Sequence, residues 1–324
     1  MNQELINELE QVRIAADILG EVYKEKAYSN AIASIKKLNY VINLDNLEKQ
    51  KISGVGSGIM GKIKEFLTKG YITELKDLLK NKKYKAFVEL SKIIGVGPAT
   101  IKTWINKKIY SISDLRKAIS KSKIKLNHMQ TLGLKYYIDL NLRIPRNEVG
   151  LLGDYVKKLL LKIDADIKFE ITGSYRRGRP DCGDIDILVT NPKTFNEVLL
   201  PKFIDVIHND KNFIDVLSKG KERITFLYYS PISKLVRQID VLNLPYESYF
   251  AAILYFTGSA TFNVGFRSFA KSLGYRLNQN GLYKIENGKL KLIIVNSEKD
   301  IFDILGLKYV APEYRIDSRQ VTPK

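Results

Sequence analysis

The sequence has one cysteine, Cys182, and only two histidines, His128 and His208. A lone cysteine excludes an internal disulfide, and with so few histidines it also excludes a cysteine- or histidine-rich metal centre. No run of eighteen apolar residues occurs, and Met1-Asn2-Gln3-Glu4 lacks the basic and apolar regions of a signal peptide. The expectation is therefore a soluble, intracellular protein with no membrane partner. No low-complexity stretch interrupts the chain. Acidic residues are also under-represented: 53 Lys and Arg face 35 Asp and Glu, a net charge of +18. That surplus is uneven. Residues 1–80 carry 12 basic and 11 acidic residues, whereas residues 81–145 carry 14 basic and 3 acidic. So basic a block is the electrostatic footprint of a protein that meets a phosphate backbone.

The length of 324 residues suits two or three domains. Residues 1 to about 80 read as helical, with apolar positions at Leu5, Leu9, Val12, Ile14, Ala15, Ile18 and Leu19. Residues 81 to about 145 are helical and basic, and from about 148 strands alternate with helices. Within the helical region a Gly-Val-Gly device occurs twice, 41 residues apart: Ile52-Ser53-Gly54-Val55-Gly56 and Ile94-Gly95-Val96-Gly97, each followed by an amphipathic helix. Two glycines let backbone pass close to a phosphate, and the helix start presents unpaired N–H groups to it. This is a helix–hairpin–helix arrangement, which grips a nucleic-acid backbone without reading its sequence.

The chemistry-bearing residues lie further on. Phe169 to Thr172 reads as a strand that runs into Gly173-Ser174-Tyr175-Arg176-Arg177-Gly178, and a second strand follows over Gly183–Val189. Alternation along that strand puts Asp184 and Asp186 on one face, about 7 Å apart at Cα. A further strand, Gln238–Leu242, can bring Asp240 alongside. Three hard oxygen ligands suit paired Mg²⁺ ions, or Mn²⁺ in their place, roughly 4 Å apart. The turn offers N–H groups, a hydroxyl and two arginines to a triphosphate. Taken alone, the motif reaches nucleotidyl transfer without naming the acceptor.

In order along the chain, Leu126-Asn127-His128, Gly133-Leu134-Lys135-Tyr136-Tyr137, Arg143-Ile144-Pro145-Arg146, Leu217-Ser218-Lys219-Gly220, Leu254-Tyr255-Phe256-Thr257-Gly258-Ser259 and Ser297-Glu298-Lys299-Asp300 join the repeat and the carboxylate motif. With them the chain resembles a family X DNA polymerase of the DNA polymerase beta type. The resemblance implies an α+β multidomain fold of four pieces. These are a helical lyase-like domain (1–80), a helical duplex-binding subdomain (81–148), a catalytic palm (149–243) and a nucleotide-binding subdomain (244–324). It implies that Asp184, Asp186 and Asp240 ligate the metals. Ser174, Arg177 and Gly183 would hold phosphates with Arg143 nearby, and Tyr255, Phe256, Gly258 and Asn263 would hold the incoming nucleotide. Gly54, Gly56, Gly95, Gly97, Lys24, Tyr28, Arg237 and Arg267 would face DNA, with a monovalent cation at the hairpins. Lys62 would form a Schiff base with a 5′-deoxyribose phosphate.

The implied protein is a monomeric, template-dependent, gap-filling polymerase of base excision repair without proofreading. Its partners are gapped or nicked DNA and deoxynucleoside triphosphates. It would act in a nucleus or, for a virus, in the virion or host cytoplasm. Apart from the resemblance, Lys62 reads as a solvated helix lysine, Tyr255 and Phe256 as core aromatics, and Asn263 and Arg267 as surface residues. Several positions depart from the family pattern. Gly58 and Glu74 replace lysines, Tyr23 a histidine, Gln238 and Leu242 arginines, and Ala260 an acid. Two rival readings stay open: a nucleotidyltransferase acting on RNA or a small acceptor, and a non-catalytic DNA-binding protein that uses only the hairpins.

Overall fold

In the computed structural model, which describes residues 2–38, 40–78 and 80–324, the chain forms two compact units, Met1–Lys135 and Tyr136–Lys324. The first contains helices α1 (Gln3–Leu19), α2 (Val22–Ile35), α3 (Leu44–Leu47), α4 (Ser57–Lys69) and α5 (Thr73–Leu78), followed by α6 (Lys82–Leu90), α7 (Pro98–Asn106), α8 (Ile112–Ser120) and α9 (His128–Lys135). Leu5, Leu9 and Val12 of α1 meet Tyr28, Ile32 and Ile35 of α2 and Ile59 and Ile63 of α4 in one buried cluster. Burying each such side chain stabilises by roughly 1.5–3 kcal/mol. The spacing of these positions by three and four is what sets the helical pattern.

The two hairpins are built alike. Gly54 and Gly95 hold φ of +76° and +78°, a left-handed conformation that glycine adopts at little cost. Gly56 and Gly97 are the extended N-cap residues of α4 and α7, and Pro98 fits the first turn of α7. A Cβ on Gly133 of α9 would come within 2.8 Å of the Ile94 backbone, so this glycine lets α9 pack directly on the second hairpin.

The second unit contains α10 (Tyr137–Asn141), β1 (Ile144–Pro145), α11 (Arg146–Ile163), β2 (Lys168–Ile171), α12 (Gly173–Arg176), β3 (Asp181–Cys182) and β4 (Ile185–Thr190). Next come α13 (Leu199–Ile207), β5 (Phe213–Lys219), β6 (Arg223–Tyr229) and β7 (Val236–Asn243). The chain ends with α14 (Tyr249–Thr257), α15 (Ala260–Ser272), β8 (Tyr275–Asn278), β9 (Gly281–Glu286), β10 (Lys289–Ile293) and α16 (Glu298–Ile304). Five strands form a mixed sheet in the order β2-β4-β7-β6-β5, in which β4 and β7 are parallel. Ile185, Ile187, Ile239 and Val241 point to a face covered by Val149, Leu152, Val156 and Leu160 of α11 and by Leu199, Phe203 and Ile207 of α13. On the other face Leu188 and Leu242 meet Tyr249, Ala252 and Ile253 of α14. That leaves the start of β4 and the middle of β7 for polar residues. The fold is α+β and multidomain, and no helix of the described residues is long and apolar enough to cross a membrane.

Residues 136–148 pack within the second unit. The Asp139 carboxylate accepts from the Val236 amide at 2.9 Å, and Glu148 pairs with Arg237 at 2.9 and 3.0 Å. Arg237, expected to face DNA, does not. It is 2% exposed, beside a Glu148 that is 1% exposed, and its guanidinium also donates to the Leu142 carbonyl. Its position on β7 turns it toward the core next to α11, where a buried charge is tolerated only with such a partner. Arg237 is committed to holding this region together.

Candidate active site

The register of the sheet assembles the carboxylates. Asp186 on β4 stands opposite Asp240 on β7, and Thr225 on β6 stands opposite Asp240 from the other side. All three therefore project from one face of neighbouring strands. Asp184 lies in the bend just ahead of β4, not inside the strand as alternation alone suggests. One oxygen from each of Asp184, Asp186 and Asp240 nevertheless lies within 4.8 Å of the others.

Crowding three acids perturbs their ionisation. Burial, then Asp184 and then Asp240 push the Asp186 carboxyl up to about 7. Asp184 is raised too, by the protein packed around its carboxyl and then by Asp240. Water still reaches Asp184, so Asp186 carries the stronger perturbation. A cluster of hard oxygen donors that resists ionisation when empty is suited to a divalent cation, whose charge reverses that resistance.

Asp240 is fully buried and every donor around it is specific. Arg223 Nε and Nη2 donate to Oδ1 at 3.0 and 2.7 Å, the Thr225 hydroxyl donates to the same oxygen, and Gln238 Nε2 donates to Oδ2 at 2.8 Å. Burial would lower the Arg223 guanidinium, but Asp240 and then Asp186 and Asp184 hold it above its ordinary value. Sequence reasoning missed Arg223 and Thr225. The available signal was their alternation, Arg223-Ile224-Thr225, which puts both on the face that Asp240 occupies once β6 pairs with β7.

Gly173, at φ +56°, opens α12 directly against the carboxylates: a Cβ there would lie 2.5 Å from Asp186 Oδ2. This glycine is a close-approach residue, and any side chain would displace Asp186. Beyond it, Arg177 Nη2 donates to Ser174 Oγ at 2.9 Å and Nη1 to the Thr257 carbonyl, while its Nε is buried without a partner. Burial and then Arg179 lower the Arg177 guanidinium. An anion beside it would supply the missing acceptor. Pairing of β1 with β3 brings Arg143 next to the Gly183 bend, where its guanidinium binds the Asp181 side chain and carbonyl at 2.9 Å.

A cavity of about 410 Å³ joins these elements. Gly173, Ser174, Arg177 and Asp186 line one wall, and Tyr255, Phe256, Gly258, Ala260, Asn263, Val264 and Arg267 line the other. Tyr255 and Phe256, at the end of α14, pack edge-to-face at 5.1 Å, and Asn263 of α15 donates to the Tyr255 carbonyl at 2.5 Å. The walls are fastened to each other: Arg176 pairs with Glu298 at 2.6 Å and bonds the Thr257 hydroxyl at 2.8 Å, and Arg315, fully buried, holds Glu298 from its far side at 2.8 Å. A larger groove, about 730 Å³, lies between α8 and α9. Ile119, Ile124, Leu126 and Leu134 line it together with Arg116, Lys125 and Lys135, and it holds no acidic residue.

In the first unit, Lys62 of α4 and Lys24 of α2 share one carboxylate. Glu74 lies 3.1 Å from Lys62 Nζ and 2.5 Å from Lys24 Nζ. Against its burial, the two lysines hold Glu74 below the usual carboxylate range. Tyr28 is buried beside them, and burial and then Glu74 push its hydroxyl up to about 12.

Comparison with known proteins gives four family matches in chain order. Residues 1–72 match a helix-hairpin-helix domain, 88–141 the fingers domain of DNA polymerase lambda, 143–246 the DNA polymerase beta palm and 252–316 the DNA polymerase beta thumb. Among curated relatives, DNA polymerase lambda of Rattus norvegicus is 27% identical over 329 residues, covering 97% of this chain and 56% of the relative. DNA polymerase lambda of Arabidopsis thaliana is 29% identical over 320 residues, covering 92% and 59%. DNA nucleotidylexotransferase of Xenopus laevis is 26% identical over 343 residues, covering 92% and 66%. The chain thus spans little more than half the length of the first two relatives.

Proposed function

The chain belongs to the family X DNA polymerases, of the beta type, and from that premise we propose that it is a template-dependent, gap-filling DNA polymerase of base excision repair. The observation that carries this reading is a cavity lined by Asp186 of the carboxylate cluster, by Gly173, Ser174 and Arg177 of the turn and by the aromatic pair Tyr255 and Phe256. Asp184, Asp186 and Asp240 would hold Mg²⁺ or Mn²⁺, which when bound supplies charge for the attacking and leaving oxygens of a phosphoryl transfer.

The chain's own residues do the rest. Ser174, Arg177 and the Gly183 bend, with Arg143 beside it, receive the triphosphate. Tyr255, Phe256 and Gly258 pack its sugar and base. Asn263 and Arg267 face the minor-groove edge, where every base pair presents acceptors at similar places and donors test pair shape rather than base identity. Asp240, held rigidly by Arg223, Thr225 and Gln238, stands where a primer 3′-hydroxyl is activated. The two hairpins and the basic block over 81–145 would grip the flanking backbone, with a monovalent cation at each hairpin. Lys62 is the proposed Schiff-base nucleophile for a 5′-deoxyribose phosphate. Its workplace is genomic DNA, in a nucleus or in the virion or host cytoplasm of a virus.

The connection from β6 to β7 spans only residues 230–235. So short a link favours copying a template over untemplated addition. The test is incorporation on a one-nucleotide gap, on a single-stranded DNA primer and on single-stranded RNA. Incorporation confined to the templated nucleotide on gapped DNA supports the proposal. Equal extension of the single strands would overturn it.

A further inference from the structure

If the first unit holds the downstream side of a gap, as the proposal above requires, the way it meets the 5′ end depends on the charge left over around Lys24 and Lys62. None is left over. Lys24 Nζ has Glu74 at 2.5 Å and Glu21 at 3.1 Å, and Lys62 Nζ has Glu74 at 3.1 Å and Glu65 at 3.9 Å. Glu65 also pairs with Lys69 at 3.1 Å, so three ammonium groups face three carboxylates. Glu74 is the shared one, and it is fixed in place from two directions. It sits in the first turn of α5, where a negative charge suits the helix start, and the adjoining Ile72 is 1% exposed and anchors that turn in the core.

We infer that Glu74 is the resident anion of this lysine pair, and that the first unit therefore binds gapped DNA without recognising a 5′-phosphate. A terminal phosphate is a dianion, and beside Glu74 it would meet a like charge with no uncompensated cation. To reach the lysines it must take the place of Glu74 and push that carboxylate toward Glu21 and Glu65. Internal phosphodiesters face no such competition, because the Gly54–Gly56 turn offers them backbone N–H groups at the start of α4. The grip on the strand is kept, and only the sensor of its end is switched off. Glu74 is a specificity-determining residue that removes the binding advantage of a 5′-phosphate at the downstream terminus.

The experiment measures the affinity of the full-length protein for a one-nucleotide gap whose downstream strand ends in a 5′-phosphate or a 5′-hydroxyl, at one salt concentration, with uninterrupted duplex as reference. The wild-type ratio should lie within about twofold, whereas Glu74→Gln and Glu74→Lys should both favour the phosphate by about tenfold or more. Thermal melts of both variants establish that they fold. A wild-type preference of about tenfold for the phosphate would overturn the inference, as would folded Gln and Lys variants that keep the wild-type ratio. A wild-type protein that binds neither gap better than duplex would overturn the gap-filling proposal, and this inference with it.

Discussion

The two charged sites of the molecule are near mirror images, and they differ in what they leave unsatisfied. In the second unit one guanidinium, Arg223, sits on a cluster of three carboxylates. In the first, one carboxylate, Glu74, bridges two ammonium groups, with Glu21 and Glu65 behind them. The acidic site stays short of positive charge, which is why Asp186 is pushed so far upward. The basic site is fully compensated. The Arg223 side chain is also 52% exposed, while that of Glu74 is 21% exposed and tied to both lysines. Residue type is therefore a poor guide to what a charged cluster binds, and net local charge is the better one.

The comparison breaks most severely at the acidic site. Asp240→Ala should lower single-turnover extension by about 10³-fold or more, since it removes a metal ligand and the group beside the 3′-hydroxyl. Gapped-DNA affinity should stay within a few fold, because the phosphate contacts lie elsewhere. Extension close to wild type would sink the assignment. Next in size is the basic block. If roughly six phosphates are neutralised, affinity should fall by about 10³-fold between 50 and 200 mM salt, with little dependence on base sequence. A flat salt response would contradict it.

A smaller effect separates buried charge from functional charge. Arg237→Ala leaves Glu148 buried and alone and should cost about 3–5 kcal/mol of stability, read as a lowered denaturation midpoint. Arg223→Ala, which leaves the buried Asp240 with Thr225 and Gln238 as donors, should cost about 2–3 kcal/mol while tightening Mn²⁺ binding to the nucleotide-free protein severalfold. Weaker Mn²⁺ binding would mean that Arg223 holds Asp240 in place more than it competes for it.

The smallest expected effect concerns pH. The Asp186 carboxyl stands near 7 in the folded protein against 3.8 for an ordinary aspartate. Ionising it therefore disfavours the fold progressively as pH rises from about 4 to 7. Asp186→Asn removes that penalty, so in chelator the variant should be more stable than wild type at pH 8 by about 1–2 kcal/mol, with little difference at pH 4. Equal melting temperatures at pH 8 would show that the carboxylates do not strain one another.

Much of this was legible in the sequence, for local reasons. The Gly-Val-Gly repeat demanded left-handed glycines before helix starts, and Gly54 and Gly95 adopt that conformation. The family resemblance implied the α+β class, and the acids at Asp186 and Asp240 sit in strands whose apolar neighbours set the face they point from. What was not legible depends on partners distant in the chain. Arg237, which the resemblance set against DNA, is buried instead because Glu148, on α11, packs against it. Arg223 and Thr225 acquire a role only from the pairing of β6 with β7, which no short motif encodes. Asp184 fell outside its strand because the backbone bends after Cys182. The Lys24–Glu74 pair joins residues fifty positions apart.

The opposition of Asp186 and Asp240 has one more consequence. It lies between β4 and β7, and each of those strands is flanked on both sides within the sheet. The spacing of the carboxylates is thus written in the main-chain amides of the interior of the sheet, which open only when the whole unit unfolds. In hydrogen exchange the amides of Ile187, Val241 and their neighbours should be among the slowest in the protein, while β10, an edge strand of the three-stranded sheet, exchanges early. Partial melting of the periphery would then leave the carboxylate frame intact.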